Sequence, residues 1–269
     1  MQPYYEDPSV ALYCGEALAL LATLPSASVD AVVTDPPYSS GGAFRGDRVG
    51  NTTEKYVQWD TAIRRPDFDG DNRDQRGYGY WCTLWLGECY RVAKPGAVCL
   101  LFADWRQLPT TTDALQAGGW VWRGVVPWDK TEAVRLQKGA YASQCEYVVW
   151  GSKGPLDRGE ERPCLPGFFR YIVRQADKFH LTGKPTPLLS DLLGIVPAGG
   201  TVLDPFCGSG TTLVAARLRG LRAIGVEWQA DYCDVAVRRL AQLVLVAAPT
   251  AEPVEQAPLP LALTQANSQ

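Results

Sequence analysis

Residues 29–38 end a run of apolar side chains with an acid, two prolines and a tyrosine. Such a segment could activate the exocyclic amine of a nucleobase, a poor nucleophile because its lone pair is delocalised into the ring. The Asp35 carboxylate and the carbonyl of Pro36, which Pro36 and Pro37 hold in place, could accept the amine's two hydrogens. Tyr38 offers a face on which a flipped base can stack. This chemistry would rely on orientation and charge stabilisation, although a Pro-Pro turn explains the four residues equally well.

A second group of residues, 201–212, predicts a strand that runs into a glycine-rich turn and then a helix. Glycines let the backbone approach a ligand, and a helix start offers free N–H groups. A further strand ends about twenty residues later in an acid suited to ribose hydroxyls. The acid before the turn would repel a diphosphate and attract an amino group, and Leu213 replaces the third glycine of the dinucleotide pattern. S-adenosylmethionine fits better than a dinucleotide, and a purely structural turn is the alternative. The predicted contacts here are Asp204, Pro205, Phe206, Gly208, Ser209, Gly210, Thr211 and Glu227.

The elements that must position these residues alternate between strands and helices. Such alternation predicts an α/β fold with a mostly parallel sheet covered on both faces. Apolar runs predict strands at 10–13, 29–34, 97–102, 120–128, 145–150, 201–203 and 223–226. Helical spacing predicts helices at 17–24, 80–92, 188–193, 211–219 and 231–246, the last with Asp231 as N-cap.

The composition limits the class of protein. The chain has 269 residues and a formal net charge of −3, so any nucleic-acid surface must be local. It shows no apolar run of transmembrane length and no signal pattern, so we expect a cytoplasmic protein without membrane contact. Its eight cysteines form no C-x-x-C pair and it has one histidine, so we expect no metal.

Three segments interrupt the regular pattern. Residues 39–77 are rich in glycine and charge and predict a loop insertion, which is either solvated surface or a flap that contacts substrate. Residues 153–184 carry seven basic and four acidic residues with aromatic residues between them. This stripe is either a nucleic-acid surface or an ordinary charged loop. Residues 249–269 are rich in Pro, Ala, Gln and Glu and predict a disordered tail.

The two motifs together resemble the amino-methyltransferases of DNA, which use S-adenosylmethionine to methylate adenine N6 or cytosine N4. The catalytic motif precedes the cofactor motif here, as in the circularly permuted β class. The resemblance covers roughly residues 10–248, which assigns 1–248 to one methyltransferase domain. It implies a Rossmann-like, seven-stranded mixed sheet with helices on both faces. In such sheets the two motifs meet at the carboxyl ends of adjacent strands.

The same resemblance implies further site residues. Thr182 and Lys184 match a family segment that reaches the methionine carboxylate. Glu16 stands where the family often has aspartate near the cofactor adenine, and Trp228 could flank that adenine or serve a structural purpose. The segments 128–130 and 144–146 also fit the family.

The resemblance favours methylation of adenine N6 in double-stranded DNA, because aspartate heads the catalytic motif where serine is commoner for cytosine N4. Cytosine N4 remains the alternative. Enzymes that methylate protein glutamine or RNA amines carry asparagine first and place the cofactor motif upstream, and a non-catalytic DNA-binding relic would not need both motifs intact. Target recognition would fall to residues 154–180, alone or together with the 39–77 insertion. Both segments are short, so we expect a short recognition site or a homodimer.

Overall fold

The computed structural model describes residues 2–38, 73–132, 134, 138–159, 162–173 and 183–246. The predicted tail, Thr182 and most of the predicted 39–77 insertion lie outside the described residues. The predicted recognition segment is described except for 160–161 and 174–180.

The described residues form one mixed sheet of nine strands in the order β1-β2-β9-β8-β3-β4-β6-β5-β7. Seven strands are four residues or longer, and β1 and β7 at the two edges have two residues each, too short for an apolar period to reveal. The prediction of a seven-stranded mixed sheet therefore has the right fold class, but it lacks these two edge strands. The strands are β1 Tyr5–Glu6, β2 Val10–Cys14, β3 Val29–Thr34, β4 Ala93–Ala103, β5 Val121–Asp129, β6 Cys145–Ser152, β7 Phe169–Arg170, β8 Thr201–Asp204 and β9 Arg222–Glu227.

The centre of the sheet is parallel. Strands β2, β9, β8, β3 and β4 pair in parallel, and β6 runs antiparallel between β4 and β5. Val32 of β3 pairs with Leu203 of β8, so the residues that follow both strands lie side by side. Because parallel strands end at one edge of a sheet, this register brings the catalytic and glycine motifs together.

Helices cover both faces, as predicted. They are α1 Ala17–Leu21, α2 Gln75–Val92, α3 Leu108–Ala117, α4 Thr186–Leu192, α5 Thr211–Leu218 and α6 Ala230–Val246, with a 3₁₀ turn at Leu193–Ile195. Leucines of α4 and α5 pack on one face and the buried stripe of α2 packs on the other. Alternate residues of β4 serve the two cores: Leu100 and Phe102 face one, and Cys99 and Leu101 the other. None of the described helices combines the length and hydropathy that a membrane span requires.

Two helix predictions are corrected, and one helix was missed. Helix α2 begins at Gln75, inside the predicted insertion, because the Asp74 side chain accepts a hydrogen bond from Gly77 N and caps it. Helix α3 was not predicted, since its run of three threonines hides the helical period. Asp231 lies in the first turn of α6 and is not the N-cap, because that helix begins at Ala230.

Candidate active site

Asp35 follows the last residue of β3, and both of its carboxylate oxygens have partners. Lys184 Nζ lies 2.5 Å from Oδ2. The Tyr38 hydroxyl donates to Oδ1 at 2.5 Å. The adjacent Pro36 is buried, so the backbone that carries the second predicted acceptor is packed into the protein. Each carboxylate oxygen has a second lone pair, so Asp35 can accept one more hydrogen bond while these contacts persist.

A second carboxylate, Glu146 at the start of β6, completes this cluster. One oxygen lies 3.3 Å from both Lys184 Nζ and the Tyr38 hydroxyl. The other lies 3.2 Å from Lys130 Nζ. In the sequence Glu146 is noted only as part of a segment that fits the family, and its proximity to Asp35 arises from the pairing of β6 with β4. We call the five residues joined by these contacts the catalytic cluster: Asp35, Tyr38, Lys130, Glu146 and Lys184.

Lys184, which the resemblance assigns to the cofactor carboxylate, lies within the catalytic cluster. Its side chain is 6% exposed and contacts two carboxylates. Burial alone would lower the pKa of Lys184, but Asp35 and Glu146 raise it above its ordinary value, so the ammonium is charged. Burial raises the pKa of Asp35 against the opposing effect of Lys184. Lys184 and Lys130 together outweigh burial and lower the pKa of Glu146.

Residues 204–211 form the glycine loop between β8 and α5. Gly208 and Gly210 have φ of 51° and 79°, which favours glycine. A Cβ at Gly210 would lie 2.8 Å from Ala236 Cβ, so a larger residue would push α6 away. Glu227, at the end of β9, accepts from Gly208 N at 3.0 Å and from Gln229 N at 2.8 Å. The loop backbone is thereby fixed beside an acid, which is the arrangement a ribose-bearing cofactor needs.

Two loop residues face the protein interior. Phe206 packs its ring 5.2 Å from that of Trp81 and 5.1 Å from that of Trp85, so its side chain anchors the loop to α2. Asp204 is 2% exposed and accepts from the Thr34 hydroxyl at 2.6 Å and from Phe206 N at 3.1 Å. The Thr34–Asp204 bond joins the end of the catalytic strand directly to the start of the glycine loop.

The buried Asp204 predicts a pH dependence of stability. Burial raises its pKa from 3.8 to about 6, so between these values the folded protein binds a proton that the unfolded chain releases. The contribution of this group to the free energy of unfolding therefore falls as the pH rises from 4 to 6, by about 2 kcal/mol. We expect the stability of Asp204→Asn relative to the wild type to rise over this window in urea titrations. Parallel curves for the two proteins, or an equal effect of Asp113→Asn at an exposed site on α3, would contradict this.

Arg239 of α6 supports the glycine loop and was not predicted. It is 8% exposed, and its Nη1 donates to Ser209 O at 2.7 Å, to Ser209 Oγ at 3.2 Å and to Thr211 Oγ1 at 2.9 Å. These contacts turn both side chains toward α6. The sequence contains a signal for this residue, because the helical period places Arg239 on the face of α6 that buries Ala236 and Leu240.

We expect Arg239→Met to loosen the glycine loop. Methionine keeps the apolar stem but leaves the Ser209 carbonyl without its charged donor, a loss of about 1.5–3 kcal/mol for such a bond. Cofactor affinity, measured by calorimetry, should fall about tenfold or more. The matched control is Arg238→Met, an exposed neighbour on the same helix, and an equal loss there would show that the loop contacts are not the cause.

The remaining predicted residues border the glycine loop or lie apart. Glu16 is exposed, and its side chain accepts from Ala19 N at 2.7 Å as the N-cap of α1. The neighbouring Gly15 N bonds to Glu227 O, so Glu16 lies at the same edge of the sheet as Glu227. Trp228 is 60% exposed beside Glu227, and Pro205 is buried.

Two arginines of the basic stripe are already paired within the chain. Arg162 pairs with Asp157 at 3.0 Å, and Arg170 lies 3.4 Å from Asp129 and 3.2 Å from Glu132. Phe168 is exposed beside them. Over the described ranges, no three His, Cys, Asp or Glu side chains converge as a metal site.

Comparison with known proteins agrees with this geometry. Over 228 residues, the chain is 31% identical to YubD, a provisionally assigned methylase of Escherichia coli (strain K12), covering 84% of this chain and 88% of that protein. The structure superposes on the M1.HpyAVI–SAM complex with a TM-score of 0.61 and 20% identity, covering 86% of this chain and 98% of the other. It superposes on the PvuII DNA methyltransferase, which is cytosine-N4-specific, with a TM-score of 0.68 and 17% identity, covering 88% of each chain.

The profile of one family spans most of the chain. It matches residues 29–160 and 161–238, which include the catalytic cluster, the glycine loop and Glu227. The chain therefore belongs to the N6/N4 family of DNA methylases.

Proposed function

We propose that this protein methylates N6 of adenine in double-stranded DNA, after the adenine is flipped out of the helix. The observation that carries the proposal is the hydrogen bond of 2.6 Å between Thr34 and Asp204. This bond lies next to Asp35 and at the start of the glycine loop, which supports a geometry in which an amine bound at one motif faces a methyl donor bound at the other. The aspartate at the head of the catalytic motif supports adenine over cytosine.

The residues of the chain divide the work in this proposal. Asp35 and the Pro36 carbonyl accept the two hydrogens of the amine and free its lone pair, while the ring of Tyr38 stacks on the flipped base. The glycine loop and Glu227 hold S-adenosylmethionine, with Glu16 and Trp228 at the adenine end. When bound, this cofactor supplies a methyl group on a cationic sulfur, which keeps the electrons of the broken carbon–sulfur bond as the amine gains the methyl and releases a proton. Fixed acceptors lower the barrier because they need no reorganisation.

The proposal is tested by the identity of the product. Purified protein is incubated with S-adenosylmethionine labelled in the methyl group and with double-stranded DNA, and the DNA is digested to nucleosides. We expect label on N6-methyladenine. Label on N4-methylcytosine would replace the proposal with its alternative, and label on protein alone, with none on the DNA, would refute both.

We further propose that residues 154–180 read the target site and that two copies share the work. The described part of this segment presents Phe168 and Ile172 to solvent, and the segment is short for a reader of a long site. Mapping of modified bases in a host that expresses the gene would give the site, and sedimentation of the protein with and without DNA would give the assembly. A long asymmetric site read by a monomer would contradict this view.

A further inference from the structure

We propose that Lys184 is a positioning residue that keeps Asp35 ionised and in place as the acceptor of the amine, and that Glu146 tunes this effect by sharing the ammonium. Neither residue then contacts the cofactor. The inference rests on the proposed function for its catalytic meaning, but its charge arrangement can be tested without any transfer reaction.

The four charges form an alternating line. Lys130 lies 3.2 Å from Glu146, Glu146 lies 3.3 Å from Lys184, and Lys184 lies 2.5 Å from Asp35. Two positive and two negative groups sum to zero, which lets them stay ionised in a mostly buried place. Glu146 and Lys184 each lie between two groups of opposite charge, so removing either one changes the electrostatic potential at Asp35.

The surroundings of Lys184 leave its ammonium turned toward the acids. Its Nζ lies 5.1 Å from the centre of the Tyr38 ring and 5.2 Å from that of Phe102. Two ring faces and two carboxylates therefore surround it. A cofactor carboxylate would have to share a 6% exposed ammonium with Asp35 and Glu146, which already face two of its three N–H donors. This arrangement assigns Lys184 to the catalytic cluster.

The line predicts opposite effects for its two inner members. Lys184→Met leaves Asp35 and Glu146 as neighbouring carboxylates without the shared cation, and two such groups cannot both stay ionised easily. The pKa of Asp35 should rise. Glu146→Gln removes the competing carboxylate and leaves Lys184 to Asp35 alone, so the pKa of Asp35 should fall.

Other titratable groups face the line and are left unchanged by both variants. Tyr38 donates to Asp35 from the catalytic motif. Asp204 at the end of β8 and Asp104 after β4 add negative charge from the two neighbouring strands. Their effect on the pKa of Asp35 is common to both variants, so it cancels when the two are compared.

The decisive measurement is the titration of Asp35 in the full chain. Protein carrying ¹³C-carboxyl aspartate is titrated by NMR, and the Asp35 signal is assigned by its loss in Asp35→Asn. We expect Lys184→Met to raise the pKa of Asp35 by about one unit or more and Glu146→Gln to lower it. The Lys184→Met/Glu146→Gln double variant should return toward the wild type. Shifts of both single variants in one direction, or no shift, would overturn the inference.

Two further readouts separate this inference from a structural role and from the proposed function. Calorimetry should give an S-adenosylmethionine affinity within about threefold of the wild type for both variants, whereas a tenfold loss in Lys184→Met with an unmoved Asp35 would make the lysine a cofactor ligand. Lys94→Met is the matched control, because Lys94 pairs with Asp30 at 2.8 Å at the opposite end of β3. The pKa of Asp35 in this control should equal that of the wild type. If Lys184→Met does not fold, the direction of the Asp35 pKa shift in Glu146→Gln still tests the inference. A wild type that methylates no DNA would refute the proposed function and leave the titration valid.

Discussion

Asp35→Ala is expected to lower the rate of methyl transfer to DNA by about 100- to 1,000-fold, the effect of losing one preorganised hydrogen-bond partner of the reacting group. The variant removes the acceptor that withdraws a hydrogen of the amine. It leaves one excess positive charge in the catalytic cluster, but Lys184 keeps Glu146 as its partner at 3.3 Å. The fold and the glycine loop should therefore persist. Single-turnover rates with labelled S-adenosylmethionine would measure the loss, and calorimetry should show an unchanged cofactor affinity.

The control for Asp35→Ala is Asp113→Ala, which makes the same change at an exposed position of α3. It should leave the rate unchanged. Cofactor affinity that falls together with the rate in Asp35→Ala would show that Asp35 serves the glycine loop and that its assigned role is wrong. A rate near that of the wild type would remove Asp35 from the chemistry altogether.

The sequence was sufficient for the elements that carry their own signal. Strands β3, β8 and β9 were predicted because apolar runs end at acids, and the glycine loop because its glycines must adopt positive φ. These are local properties of the chain. The convergence of the two motifs followed from one general rule, that parallel strands end at the same edge of a sheet.

The pairing of side chains across the site could not be predicted in this way. Asp35 and Glu146 meet because β3, β4 and β6 are neighbours in the sheet, and Lys184, 149 positions from Asp35, reaches them from the segment before α4. That order is not encoded in any period of hydrophobicity, so only the resemblance assigned the lysine a role, at the cofactor carboxylate. Glu146 was missed as a site residue for the same reason, because its partners come from distant parts of the chain.

The basic stripe shows a different limit of sequence reasoning. Counting charges gave an excess of three positive residues over 153–184, but a count does not reveal which charges are neutralised. Arg162 and Arg170 pair with acids, two of which, Asp129 and Glu132, lie outside the counted segment. Their contribution to DNA affinity would require these surface pairs to open. Such pairs contribute about 0–1 kcal/mol, so DNA phosphates can compete for the arginines.

Glu227→Gln is expected to weaken S-adenosylmethionine binding by about 100-fold. Its carboxylate does two tasks, since it accepts from Gly208 N and from Gln229 N and has lone pairs left for ribose hydroxyls. Glutamine keeps the shape but turns an NH₂ group toward one of these backbone donors. Loss of one charge-assisted bond costs about 1.5–3 kcal/mol, a factor of about 10–150, and the expected 100-fold loss corresponds to one such bond near the upper end of this range.

Calorimetry measures the effect of Glu227→Gln, and thermal unfolding without cofactor separates its two tasks. A lower melting temperature assigns the loss to the loop, whereas an unchanged one assigns it to the ribose. The control is Glu6→Gln, an exposed position in β1 where the same change should alter neither quantity. Unchanged affinity in Glu227→Gln would mean that the glycine loop binds the cofactor without this acid.

Because burial raises the pKa of Glu227, the wild-type affinity for the cofactor should also fall as the pH drops toward the acidic range. Glu227→Gln should lack the part of this pH dependence that comes from the carboxylate.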